Sequence, residues 1–124
     1  GKQVGVHCHD NQCLGYANTI EGIIKGVNRL DATIYGIGRA AGNCPLELLL
    51  GFLKNPKFNV RPIFDLIEKY FVDMKKELRW GYEIPYAITG ILNKHPRAAM
   101  AFMTGVHGNT FSEFYDELLN ADEL

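Results

Sequence analysis

The stretch Val4-Gly5-Val6-His7-Cys8-His9-Asp10-Asn11 ends a short apolar run on two histidines with one residue between them. Gln3 to His7 reads as a strand, with Val4 and Val6 on one face and Gly5 and His7 on the other. Residues i and i+2 of a strand point to the same side, so His7 and His9 can project together from its C-terminal end. That end is where parallel α/β folds gather their chemistry. Two neutral imidazoles held this way make half a site for a divalent ion, with the remaining donors drawn from elsewhere. The competing reading is a pair of loop histidines that bind nothing.

Working outward, Leu14 to Val27 reads as a helix, because Leu14, Ala17, Ile20, Ile23, Ile24 and Val27 recur at three- and four-residue steps. Leu30 to Tyr35 alternates again and reads as a second strand. Strand, helix and strand in so short a span predict a βαβ unit with a parallel pair. Gly36 to Asn43, "GIGRAAGN", is a glycine-rich loop. In a parallel sheet its start lies beside the end of the first strand, so Asn43 can bring a side-chain oxygen to the same metal. The plainer role for Asn43 is to cap the helix that opens near Pro45 and carries Leu46, Leu49, Leu50 and Leu53. The glycines do not match G-x-G-x-x-G and no Lys-Ser/Thr follows, so a phosphate loop is disfavoured.

Beyond Lys54 the strand signal stops. A helix is predicted from Pro62, with Ile63, Ile67, Tyr70, Phe71, Met74 and Leu78 on one face. Others follow over about Pro85 to Leu92 and Pro96 to Met103, and Thr110-x-x-Glu113 is a capping box ahead of Phe111. The chain therefore divides into a βαβα segment, 1–58, and an all-helical segment, 59–124. A two-stranded parallel sheet is unfinished, since such strands expect neighbours and cover on both faces. The 124 residues, opening at Gly1-Lys2 without Met, are accordingly expected to be part of a larger domain.

Composition narrows the function. With 47% hydrophobic and 22% charged residues and a formal net charge of -1, nothing marks nucleic acid as a partner. No apolar run approaches the roughly 18 residues a membrane helix needs, and no signal peptide is visible. Three cysteines are too few for a disulfide scaffold, so reduced thiols in a cytoplasm are expected.

His7 to Asn18, "HCHDNQCLGYAN", followed by Asp31 to Leu50, "DATIYGIGRAAGNCPLELLL", resembles the metal-dependent TIM-barrel lyase and synthase superfamily. That superfamily includes 4-hydroxy-2-oxovalerate aldolase, hydroxymethylglutaryl-CoA lyase, and the isopropylmalate and homocitrate synthases. The resemblance rests on His7-x-His9, Ala17-Asn18, Asp31-Ala32, Gly36-x-Gly38 and Ala41-Gly42-Asn43. It implies the last two βα units of a (β/α)8 TIM barrel followed by an all-helical extension. His7 and His9 become ligands at the end of the seventh strand, and Asn43 a ligand or close neighbour of the metal after the eighth. Manganese is the first choice of ion, with magnesium, cobalt or zinc also suited.

Gly81 to Tyr86, "GYEIPY", resembles a Gly-Tyr-x-x-x-Tyr stretch of the aldolase branch, which makes Tyr86 a catalytic group. Pro85 departs from that pattern, and simple packing of Tyr82 and Tyr86 on a helix face is the alternative. The lyase branch carries a reactive Cys within its glycine loop, whereas Cys44 lies just past it and is expected to pack. Cys8 is expected to point away from the metal.

The implied reaction is retro-aldol cleavage of a 4-hydroxy-2-oxo acid to pyruvate and an aldehyde, with the metal as Lewis acid and a base at the 4-hydroxyl. The alternatives are a Claisen-type synthase joining acetyl-CoA to a 2-oxo acid, or a docking segment contacting an aldehyde dehydrogenase. The family's first-strand Asp ligand, Arg and His base have no counterpart in this chain. Alone, it is expected to be inactive, to hold metal weakly, and to associate as a homo-oligomer.

Overall fold

The computed structural model describes residues 1–105 and 110–121, so parts of the expected helical segment (106–109 and 122–124) lie outside the described residues. The fold is α/β, mostly helical, with one small parallel sheet. Strands β1 (Gly5–Val6) and β2 (Arg29–Leu30) flank helix α1 (Gly15–Ile24) and pair in parallel, Gly5 opposite Arg29 and Val6 opposite Leu30. Helix α1 closes on β1 through Gly22. A Cβ there would lie 3.1 Å from Val6 Cγ1 and 3.3 Å from Val27 Cγ2, tighter than ordinary contact, so a side chain would push the helix off the strand.

The expected strand from Leu30 to Tyr35 needs correction. Only Leu30 falls in β2; Thr33 makes an isolated parallel bridge to Pro45, and Ile34–Gly36 wind into a 3-10 turn. Tyr35 sits at φ +56°, a left-handed conformation uncommon outside glycine. Distant partners hold it there: its N–H donates to Glu47 Oε2 at 2.9 Å, and its carbonyl accepts from Trp80 Nε1 at 2.8 Å. No local alternation of side chains could announce those bonds.

Helix α2 (Leu46–Leu53) follows the glycine-rich loop. The helix predicted from Pro62 forms as α3 (Arg61–Leu66) and α4 (Val72–Leu78), joined through a π turn at Ile67–Phe71. The wider turn breaks the regular helical phase. The expected apolar stripe consequently does not stay buried: Tyr70 is 50% and Leu78 63% exposed. Helices α5 (Ile84–Ile91), α6 (Arg97–Thr104) and α7 (Phe111–Asn120) follow among the described residues. The capping box forms as its residues predict, with the Thr110 N–H on Glu113 Oε2 and the Glu113 N–H on Thr110 Oγ1.

The core joins the two halves of the sequence. Ala40 and Ala41 of the glycine-rich loop pack with Tyr86 and Ile88 of α5, Ala99 of α6 and Phe114 of α7. The Phe102 and Phe114 rings lie 4.5 Å apart. Each large apolar side chain buried here contributes about 1.5–3 kcal/mol, so the helices hold the loop as well as each other. Two hydrogen bonds add to this: the Gly81 N–H on the Ala40 carbonyl, 3.2 Å, and Gln12 Nε2 on the Gly90 carbonyl, 2.9 Å. Among the described residues no helix is long and apolar enough to cross a membrane.

Candidate metal centre

Three residues past the end of β1, His9 makes an antiparallel bridge to Asn43. The bridge is laced from both sides. The Asp10 N–H donates to the Gly42 carbonyl at 2.9 Å, and the Cys44 N–H to the Cys8 carbonyl at 3.2 Å. This backbone stitching brings Asn43 beside the His-x-His pair. His7 and His9 share one side, as the i, i+2 spacing predicts, with ring centroids 5.2 Å apart and planes at 86°. Both rings line a cleft of about 160 Å³ with Asn11, Arg39, Asn43 and Pro96. It falls below the ~300–1,000 Å³ of a whole small-molecule pocket.

The donor chemistry fits a divalent ion. His7 Nδ1 lies 3.1 Å from Asp31 Oδ2, a carboxylate on the stretch just after β2. A carboxylate on Nδ1 fixes the ring's tautomer and orientation and leaves Nε2 as its lone-pair donor, the usual outer partner of a ligating histidine. Asn43 is oriented too. Its Nδ2 donates to the Ile37 carbonyl at 3.1 Å, and among the described residues Oδ1 takes no hydrogen bond and is the open donor atom. His7, His9 and Asn43 would therefore supply two imidazole nitrogens and one amide oxygen, all neutral. Among the described residues no cluster of three or more His, Cys, Asp or Glu could hold a metal. The set would make only part of a coordination shell, and a carboxylate to offset an ion's charge would come from outside it.

Asn43 is not the cap of α2. The N-cap position is Pro45, and no side chain caps it. The amide is held across the loop instead, and only glycine at position 38 permits this, since a Cβ there would overlap the Asn43 carboxamide. Cys44 packs as expected and is fully buried. Burial pushes its thiol above the ordinary value of 9.0, opposed by the Thr19 hydroxyl and reinforced by Cys8, Asp10 and Glu47. Cys8 is half-buried and outside the cleft lining.

Tyr86 is 5% exposed, in the core with Ala40 and Ala41, and is not among the residues lining the cleft. Burial raises its hydroxyl above the ordinary value of 10.0, with Glu83 adding to the rise and Arg79 opposing it. Three cleft residues escaped the sequence reading. Asn11 follows His9 by two positions and could have been found from that spacing. Arg39 is the one charged residue in the glycine-rich loop, and its turn context gives no local sign of a cleft. Pro96 carried no signal at all, because it arrives from the distant helical segment.

A family model described as HMGL-like matches residues 2–69, more than half of the chain, and the chain belongs to that family. A relative named 4-hydroxy-2-oxovalerate aldolase, from Acidovorax sp. (strain JS42), is 49% identical over 51 residues, covering 41% of this chain and 15% of its own length. A 2-isopropylmalate synthase of Campylobacter jejuni is 31% identical over 74 residues, covering 60% of this chain and 13% of its own. The solved N-terminal domain of a Bacteroides vulgatus protein named as an aldolase superposes with a TM-score of 0.76 at 34% identity, over 94% of this chain and 38% of that one. The chain thus spans only a minor part of the proteins it matches.

Proposed function

We propose that this chain is the C-terminal part of a (β/α)8 barrel, its last two βα units, followed by a helical extension. The parent protein would be a divalent-metal-dependent aldolase cleaving 4-hydroxy-2-oxo acids to pyruvate and an aldehyde. One observation carries the reading: His7, His9 and Asn43 meet at one cleft, with Asp31 on the far nitrogen of His7. The 49% identity to an aldolase over 51 residues supports the branch.

His7 and His9 would hold the ion, manganese in this proposal, with Asn43 Oδ1 as third donor. The bound ion supplies Lewis-acid chemistry toward the 2-oxo acid. Asp31 keeps the His7 ring from turning. Gly38 leaves room for the Asn43 amide. Tyr86 is proposed to act from beneath the glycine-rich loop that carries Arg39 and Asn43, as a hydroxyl that stays protonated at neutral pH. The groups that take the 4-hydroxyl proton belong to the remainder of the barrel.

The test is the full-length protein loaded with Mn²⁺ and given 4-hydroxy-2-oxo acids with either a methyl or a carboxylate tail, with pyruvate followed by NADH-coupled reduction. Turnover that disappears in His7→Ala and His9→Ala, together with lost metal content, supports the proposal. Release of CoA from acetyl-CoA and a 2-oxo acid, without pyruvate formation, would instead favour a synthase, a class represented at 31% identity. A homo-oligomer or an aldehyde dehydrogenase partner is proposed for the exposed apolar side chains Phe58, Phe64 and Leu78, 57%, 52% and 63% exposed. Co-elution on size exclusion checks it.

A further inference from the structure

We infer that Arg39 recognises a second carboxylate, so that the substrate is anionic at both ends. The inference rests on the proposed function for the 2-oxo acid end only. The cleft is lined by two imidazoles, two carboxamides, one proline and the Arg39 guanidinium, with no acidic side chain among them. Nearby acids are engaged elsewhere. Asp31 is on His7 Nδ1, and Asp10 Oδ1 accepts from the Gly15 N–H at 2.8 Å. Among the described residues no carboxylate lies within ion-pair distance of Arg39, whereas Arg61 and Arg79 are each paired with one.

The backbone under Arg39 is fixed. Its carbonyl accepts from the Gly42 N–H at 3.0 Å, closing a turn in which Ala40 adopts φ +57°. A non-glycine residue in that region costs of order 1–3 kcal/mol and persists only where its surroundings demand it. Here they do: Ala40 and Ala41 are 8% and 3% exposed in the helical core, and the Ala40 carbonyl takes the Gly81 N–H. The core therefore holds the backbone that carries Arg39 at the cleft lining rather than leaving it on a free loop.

A 2-oxo acid bound at His7, His9 and Asn43 spends its own carboxylate there. The guanidinium is a further fixed charge, and its planar fork matches the two oxygens of a carboxylate. A phosphate dianion would call for more cationic donors than the single one in this lining. The substrate that fits is a 4-hydroxy-2-oxo acid whose aldehyde-derived end carries a carboxylate. In its cleavage the C3–C4 bond breaks and its electron pair passes to C3. The 4-hydroxyl loses its proton, C3 gains one, and C4 departs as an aldehyde bearing the second carboxylate.

The test uses two unreactive ligands on the full-length, Mn²⁺-loaded protein: 2-oxobutanoate, with a neutral tail, and 2-oxoglutarate, with a carboxylate tail. Calorimetry should show 2-oxoglutarate bound about 10- to 100-fold more tightly, the range of a hydrogen-bonded charge. Arg39→Gln should bring the ratio near one, and Arg39→Lys should restore part of it, with Mn²⁺ content checked by elemental analysis. Equal weakening of both ligands by Arg39→Gln, an unchanged ratio, or failure of 2-oxoglutarate to bind the wild type overturns the inference. A protein that lacks aldol cleavage yet shows the Arg39-dependent ratio retains this inference and loses the proposed reaction.

Discussion

His7 Nδ1 and Asp31 Oδ2 lie 3.1 Å apart, one at the end of the first strand and the other just past the second. Parallel pairing makes the meeting possible, since Val6 pairs with Leu30 and the Asp31 N–H donates to the Val6 carbonyl at 2.9 Å. If His7 is a ligand, Asp31→Asn should weaken metal binding about 10- to 100-fold, the usual effect of losing an outer carboxylate. A Mn²⁺ titration of the full-length protein reads it directly. An unchanged midpoint would leave Asp31 as a surface ion pair of little consequence.

Three glycine-to-alanine changes separate site from scaffold. At Gly38 the new Cβ overlaps the Asn43 carboxamide, so metal affinity should fall more than stability. At Gly42 the Cβ runs into the Gly36 carbonyl with φ at +82°, so urea unfolding should show a loss beyond about 1 kcal/mol. Gly51 lies within α2 with open space around it, and alanine there should stabilise by up to about 1 kcal/mol. A Gly38→Ala variant that binds Mn²⁺ normally would remove Asn43 from the proposed ligand set.

The legible parts of the molecule were those set by local rules. Period-two spacing put His7 and His9 on one side, Thr110 and Glu113 announced their capping box, and the βαβ span foretold the parallel pair. What stayed hidden depends on contacts across the chain. Tyr35 leaves the extended run because Glu47 and Trp80 hold its backbone. The π turn at Ile67–Phe71 has no propensity signature and disrupts the phase of the stripe that follows. Arg39 looked like a loop residue until the burial of Ala40 and Ala41 fixed where the turn sits.

Tyr86→Phe tests the proposed donor role with little change in volume. In the full-length protein cleavage should slow by about 10²- to 10⁴-fold, as for loss of one proton-transfer group, with metal content unchanged. A drop of less than about threefold would leave Tyr86 as a packing residue beneath the loop that carries Arg39 and Asn43. Tyr86→Ala, by contrast, should cost about 3–5 kcal/mol of stability whichever role holds, because it empties a core position.

Alkaline pH should destabilise the fold in a defined order. Cys44 and Tyr86 are both neutral when protonated, and burial raises both above their ordinary values of 9.0 and 10.0. The folded state therefore binds these protons more tightly than the unfolded chain does. Their contribution is complete below the ordinary values and is lost as pH rises through the higher folded ones. The melting temperature should stay level to near pH 9 and then decline, with Cys44 contributing first and Tyr86 above it. Cys44→Ala should lower the melting temperature at every pH by leaving a small void, yet shift the onset of the alkaline decline toward pH 10. Circular dichroism melts between pH 7 and 11 on both proteins measure this, and coincident onsets would show that the buried thiol plays no part in the decline.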